Sequence, residues 1–355
     1  MIISIDCRMY DASGIGVYLR GCLPFFLQSD NKFLLIVNSN QLNAFSSFNN
    51  AEIINCGVKT FSLKELFFFP LKILKKINKT DLYYSPFFNI PGGIKIPVYT
   101  TIHDIIFPDM PKLSSKIGLI ARMWFFRRAY KISKKIFTVS LFSSSRIQHH
   151  LGTNKPVIVT HSAVQSKFLD YKTTNNNVKK KETIIFLGNI KKHKGLLLLL
   201  DAFIQAKKEG LTYKLIIIGT KENFRSSDNT ILEKINNTED DSIIFSGYLS
   251  DEELMECLSS AALLVQPSLY EGFCLPPLEA MVLGTQVLIS DIPVLHEIYD
   301  NYPVNFFEAG NSDDLKEKLL KLLKNNAIKT INLEEKLKNK YNFYKTASII
   351  LQEML

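Results

Sequence analysis

Short apolar runs, each closed by a polar or glycine-bearing break, recur through the first half of the chain. Ile2–Asp6, Phe33–Asn38, Leu82–Ser85, Val98–His103, Ile136–Ser140 and Val157–Thr160 are of strand length. Between them, apolar positions at helical spacing predict helices over 16–27, 114–134 and 141–150. Strands alternating with helices predict a mostly parallel sheet covered on both faces. Around Asp170–Lys181 the chain turns polar and loses its period, as a linker would. A second alternating series follows. Strands are expected at Ile184–Gly188, Leu215–Gly219, Ile243–Ser246, Leu263–Gln266 and Val287–Ser290, and helices at 195–209, 251–260, 277–283 and 312–325. Ser250 with Glu253 forms a capping box for one of these helices, and a last helix is expected over roughly 333–354.

Bulk numbers agree with two domains. The chain has 355 residues, 46% hydrophobic and 22% charged, which suits a globular protein with two cores. No apolar run approaches the length of a bilayer span, and the opening Met1–Asp6 lacks the basic region of a signal peptide. Cys7, Cys22, Cys56, Cys257 and Cys274 show no paired or metal-like spacing and are expected as reduced thiols in a cytoplasmic protein. Charge is uneven: residues 1–170 contain 21 Lys and Arg against 9 Asp and Glu, whereas residues 171–355 contain 22 against 25. A basic first half suggests an anionic partner met by that half alone.

Chemistry concentrates in four loops. In Pro267–Met281, Glu271 and Glu279 bracket a segment broken by Pro267, Gly272, Pro276 and Pro277, with helical spacing resuming at Leu278. Pro277 suits a first helical position, where its missing N–H costs nothing. The amides of Phe273, Cys274 and Leu275 would stay free near that helix start, in a position to meet an anion. Glu279 in the first turn is positioned to accept from a pair of hydroxyls. Asp11–Tyr18 follows a strand and opens a helix, and Gly14 and Gly16 permit close backbone approach to a ligand. The third glycine of a dinucleotide fingerprint is replaced by Leu19, which disfavours NAD. Thr100–Asp104 puts His103 and Asp104 at a strand's carboxyl end, where open α/β sheets bind ligands. Phe186–Gly195 carries Lys191, Lys192 and Lys194 at a helix start, charges that repel unless solvated or matched to phosphate. No His, Cys, Asp or Glu pattern indicates a metal.

The two acids of Glu271–Glu279, with Ile244–Leu254 upstream and Gly284–Ser290 downstream, resemble the E-x7-E region of the retaining nucleotide-sugar glycosyltransferases of family 4, of the bacterial surface-polysaccharide type. The resemblance covers most of the chain. It implies the α/β GT-B fold: two Rossmann-like, doubly wound parallel-sheet domains facing across a cleft. They would be an acceptor domain over 1–168, a linker over 169–182 and a donor domain over 183–335, with a helix over 336–355 crossing back to the first. It further implies that Gly14 and Gly16 face the diphosphate and the transferred sugar, and that His103 contacts that sugar. Lys194 matches the family's diphosphate-binding Lys. The family's Arg falls at Asn189, which leaves Lys191 or Lys192 to supply the second charge. Glu271 would meet the sugar and Glu279 the ribose. Cys274 stands where the family has Gly, and Gly247 and Tyr248 lie where it packs the base.

The expected activity is a retaining, metal-independent, cofactor-free transfer of a hexose from a GDP-, dTDP- or UDP-linked donor to a hydroxyl of a lipid-linked or oligosaccharide acceptor. Catalysis would rest on Glu271, His103 and Lys194. A nucleotide-sugar epimerase or phosphorylase of the same fold, or a non-catalytic scaffold, is the alternative. Two stretches mix aromatic and basic residues, 64–79 and 122–135. The first suits an anionic membrane as well as it suits a core; in the second the aromatics are expected inside. With the reduced thiols, the basic first half makes a cytoplasmic protein, peripheral at the inner face of the cell membrane, the expectation. No nucleic-acid-binding module is present in the pattern.

Overall fold

The computed structural model describes residues 1–45, 50–174, 178–219, 241–323 and 329–355. By its own contacts the chain divides into two compact units, Met1–Ala163 with Tyr341–Leu355, and Val164–Lys340.

The first unit contains β1 (Ile2–Asp6), β2 (Lys32–Val37), β3 (Ala51–Asn55), β4 (Leu82–Ser85), β5 (Val98–Thr101), β6 (Ser133–Thr138) and β7 (Val157–Val159). They form one sheet in the order β3-β2-β1-β4-β5-β6-β7, every pair parallel. From β1 the chain first builds outward through β2 and β3, then returns to the other side at β4. The carboxyl ends of β1 and β4 therefore flank the switch point, where loops diverge and leave a crevice. β1 and β4 are buried almost throughout because helices cover both faces. β3 escaped the sequence reading for the opposite reason: it is an edge strand with only Ile54 buried.

The second unit repeats the plan with β8 (Thr183–Leu187), β9 (Lys214–Ile218), β10 (Ile243–Gly247), β11 (Leu263–Gln266), β12 (Gln286–Ser290) and β13 (Asn305–Phe307). Their order is β10-β9-β8-β11-β12-β13, again parallel, with the switch point between β8 and β11. Its core joins the Leu196–Lys208 and Ser312–Leu323 helices to one face of the sheet through Leu199, Phe203, Val265, Leu288, Leu315 and Leu319. The capping box on the Asp251–Ser260 helix forms, with Ser250 accepting from the Glu253 amide and Glu253 from the Ser250 amide.

Several expectations need correction. The 169–182 linker begins inside a helix, Ser166–Thr174, and its residues 175–177 lie outside the described residues, as do the last two positions of the expected 312–325 helix. The helix near Pro277 starts one residue earlier, with Pro276 and Pro277 both in its first turn. The helix expected over 333–354 is broken: Glu335–Lys338 is a single turn, and Phe343–Met354 restarts where the Asn342 side chain accepts from the Lys345 amide.

That last helix packs on the Gly14–Leu27 helix within the first unit. Thr346 Oγ1 donates to the Thr160 carbonyl at 3.0 Å, and Lys135 meets Glu353 at 2.8 Å. A Cβ added to Gly21 would collide with the Phe343 ring. The sign of Gly21→Ala therefore reports the docking. In an undocked helix, alanine would stabilise by up to ~1 kcal/mol. Against Phe343, overpacking is expected to destabilise the first unit by about 1–3 kcal/mol in denaturant unfolding.

Candidate functional site

At the switch point of the second unit, two loops leave adjacent strands and are clipped together. The loop after β8 runs through Lys191 to Gly195, and the loop after β11 through Pro267 to Leu275. The Leu269 amide donates to the His193 carbonyl at 2.7 Å. Gly195 sits at φ +69°, and any Cβ there would collide with the Pro267 carbonyl, so the two backbones approach as only glycine permits.

This clip aligns one ion pair. Lys194 Nζ lies 2.7 and 2.8 Å from the two oxygens of Glu271. Ser268 Oγ donates to Glu271 Oε1 at 2.6 Å, and Gln266 Nε2 donates to Ser268 Oγ at 3.0 Å. Glu271 is 7% exposed. Burial alone would push its carboxyl up, but the Lys194 charge, with hydrogen bonds from Lys194 and Ser268, holds it below the usual carboxylate range. Neighbouring His193 is pushed down to about 4 by burial, with Lys194 and Lys191 adding repulsion against the pull of Glu271. The loop thus presents a neutral imidazole beside an ionised pair.

Eight residues beyond Glu271, Glu279 occupies the first turn of the Pro276–Val282 helix. It is buried, and among the described residues no side chain hydrogen bonds its carboxylate. Burial raises its pKa to about 7, Lys167 opposing the rise and Asp251 adding to it. Between the two acids stands Cys274, whose φ of +73° is costly for any residue with a Cβ. Tyr299 fixes it there by donating its hydroxyl to the Cys274 carbonyl. Burial and the Glu271 charge push the thiol well up, so it is not a thiolate nucleophile.

The first unit has its own pole at the β1–β4 switch point. A Cβ at Gly16 would collide with the Tyr10 carbonyl, whereas Gly14 faces open space. Two residues on, Tyr18 stands edge-on to His103 at 4.9 Å between ring centroids, and its hydroxyl pairs with Thr160 at 2.8 Å. His103 Nε2 lies 2.8 Å from the Pro86 carbonyl, which can only accept, so Nε2 carries the proton and Nδ1 is left as an acceptor. Burial pushes this imidazole down to about 4, partly offset by the Pro86 hydrogen bond, so it is neutral at ordinary pH. Asp104 turns back to accept from the Ile106 amide at 3.2 Å.

Comparison with known proteins shows what the second unit is similar to. A family model described as glycosyl transferases group 1 matches residues 168–342. Residues 168–342, just under half of the chain, are similar to that family. The chain is 28% identical over 261 residues to the O-antigen chain mannosyltransferase RfbU of Salmonella typhimurium, covering 70% of this chain and 69% of the relative. It is likewise 28% identical over 233 residues to the O-antigen chain mannosyltransferase B of Escherichia coli, covering 62% of this chain and 59% of that one. The crystal structure of Anabaena HepE in complex with UDP and glucose superposes with a TM-score of 0.72 at 15% identity, covering 100% of this chain and 99% of that one. The fold is therefore GT-B.

Within the second unit the structure brings Lys194, Glu271, Phe273, Cys274, Leu275 and Glu279 to the loops at one switch point. Asn189 is half-buried after β8, and Lys191 and Lys192 are exposed beside it. Gly247, at φ +74°, ends β10, and Tyr248 after it is 81% exposed. The pairing of Lys194 with Glu271 was not foreseen, since sequence spacing gave each its own task. Ser268 and Gln266 were missed as well, although a polar Gln266 ending the apolar run Leu263–Val265, with Ser268 two residues on, signals a site at the strand's end. In the first unit, a buried cluster also went unnoticed. Arg8 bridges Asp6 and Glu65 at 2.5 Å each, with all three side chains fully enclosed. Tyr83 donates to Asp6 at 2.7 Å, and Asn89 donates to Glu65. Among the described residues no group of three or more His, Cys, Asp or Glu is arranged to hold a metal ion.

The raised pKa of buried Glu279 predicts that the stability of the second unit depends on pH. Its folded-state pKa of about 7 exceeds the ordinary 4.5, so between these values the folded chain keeps a proton that the unfolded chain releases. Stability contributed by this proton is complete below the lower value and is lost as pH rises through the upper one. Glu279→Gln removes the window. Its unfolding free energy relative to wild type is expected to climb by about 2–3 kcal/mol from pH near 4.5 to pH near 8, read by urea denaturation across that range.

Proposed function

We propose that this chain transfers a hexose from a nucleotide diphosphate sugar to a hydroxyl of a lipid-linked or oligosaccharide acceptor in surface-polysaccharide synthesis. The observation that carries the reading is the Lys194–Glu271 pair at the β8–β11 switch point, followed eight residues on by the largely buried Glu279, whose carboxylate no described side chain hydrogen bonds. A donor supplies what these groups lack. Its diphosphate draws Lys194 from Glu271, with Lys191 or Lys192 adding charge. Glu271 then accepts from sugar hydroxyls, and Glu279 takes up two ribose hydroxyls. His103, neutral and with Nδ1 unprotonated, accepts from a hydroxyl of the transferred sugar.

Transfer breaks the bond between the anomeric carbon and the diphosphate oxygen and forms one to the acceptor oxygen. The fixed cations stabilise the departing diphosphate, which is the main catalytic term and requires no metal or organic cofactor. In a front-face route the departing phosphate oxygen takes the acceptor's proton, no protein nucleophile is needed, and configuration is retained. The relatives named as mannosyltransferases favour mannose as the sugar. A lipid-linked acceptor would lie at a membrane, and the basic first unit is suited to meet an anionic one from the cytoplasmic side.

Calorimetric titration with GDP, UDP and dTDP, followed by turnover of the matching sugar nucleotides, tests the reading. One nucleotide is expected to bind and its sugar donor to be consumed. Lys194→Ala is expected to lower kcat/KM by about 100-fold, the scale of losing one fixed charge at a leaving group. Absence of both nucleotide binding and turnover would sink the proposal.

A further inference from the structure

The Lys116–Ile132 helix is built inside out on one side. Phe126, Ala129 and Tyr130 are buried in the first unit, as an ordinary amphipathic helix requires. Its opposite face should then be polar, yet Ile117, Ile120 and Trp124 are 82%, 70% and 48% exposed. Spaced three and four residues apart, they form one stripe about 10 Å long at 1.5 Å per residue. Arg127 and Lys131 continue the same stripe and Lys116 starts it, all three exposed. The helix contains five Lys and Arg and no acid. The aromatics expected inside are thus divided, with Trp124 outside.

A second apolar edge lies next to it. Phe88 packs on the inward Phe126 at 4.2 Å and on Phe61 at 5.3 Å; Arg128 of the same helix donates to the Ile90 carbonyl at 2.6 Å, the Gly92 amide donates to the Glu65 carbonyl at 3.0 Å, and the segment around Glu65 exposes Leu63, Phe67, Phe68 and Leu71. Lys64, Lys72 and Lys75 are interspersed and exposed. Glu65, the one acid among them, is turned inward onto Arg8 and contributes no outward charge.

We propose that the outward Ile117–Ile120–Trp124 face, with the Leu63–Leu71 edge beside it, docks the first unit on an anionic lipid bilayer. This names the surface behind a membrane-linked acceptor and rests on that part of the proposed function. Charge selects the occupant. A second copy of the chain would set this acid-free helix against an identical one, whereas an anionic headgroup layer neutralises it. The apolar stripe enters the interface, the indole sits at headgroup depth, and Lys116, Arg127 and Lys131 reach the phosphates.

Trp124 is the chain's single tryptophan, so its emission reports this face directly. The test adds vesicles of phosphatidylcholine, with or without phosphatidylglycerol, to the full chain. Emission is expected to shift to the blue and the protein to co-sediment with anionic vesicles at low salt, with both effects weakened at high salt. Ile117→Ser with Ile120→Ser is expected to weaken vesicle affinity by about tenfold or more. Lys116→Glu and Arg127→Glu should each cost about fivefold or more. All four positions face solvent, so thermal midpoints should not move. Phe67→Ser with Phe68→Ser keeps the helix intact and should weaken binding in parallel. The proposal fails if emission and sedimentation ignore anionic vesicles, or if the isoleucine variants bind as well as wild type. It also fails if emission shifts with protein concentration alone, which would assign the face to a second copy. Failed vesicle binding with intact nucleotide titration removes the docking face only, and the reverse result removes the transfer reading only.

Discussion

The contact between Lys194 and Glu271 depends on a glycine. Because Gly195 lets one backbone lie directly on the Pro267 carbonyl, the loops after β8 and β11 close on each other and bring a cation and a carboxylate, 77 residues apart, to 2.7 Å. Parallel strands make this possible: both loops leave from the same end of the sheet and diverge at the switch point. The ion pair of the second unit follows from that closure. Ser268 and Gln266 form a short donor relay behind the carboxylate, and the pair stays ionised despite burial because each charge has its partner within reach.

The neighbouring groups show local stability set against binding. Cys274 is held in a left-handed backbone conformation that costs about 1–2 kcal/mol for a residue with a side chain, and the Tyr299 hydroxyl secures it. Glu279 is buried without a hydrogen-bonding side chain among the described residues. A fold selected for stability alone would have neither. Cys274 lies on the turn between the two acids, and Glu279 in the first turn of the helix that follows.

The first unit solves a different problem. Its charge cluster of Asp6, Arg8 and Glu65 sits wholly inside, burial working against the Arg8 charge and the two acids holding it protonated. Removing one member would strand the others in a low dielectric. The cluster ties the end of β1 to the segment that bears the exposed phenylalanines, while Asn89 ties the same segment to the loop that carries Pro86, the partner of His103. The same interior thus supports both an imidazole in a defined tautomer and an apolar surface that no other described part of this unit covers.

The alternation of apolar runs and helical spacing determined the two parallel sheets, because both periods are local and buried strands have few other ways to be written. The loops at strand ends were legible for the same reason: Gly14, Gly16, His103, Lys194, Glu271 and Glu279 each follow a run that must end at the carboxyl edge. Tertiary structure decided the pairings. No spacing relates Lys194 to Glu271, or Arg8 to Glu65, since such contacts depend on which strands neighbour each other and how closely two backbones pass. It also decided which side of the Lys116–Ile132 helix faces out. Apolar residues occupy more than one face of that helix, so periodicity alone cannot say whether Trp124 or Phe126 meets the core. Only the packing against Phe88 selects one.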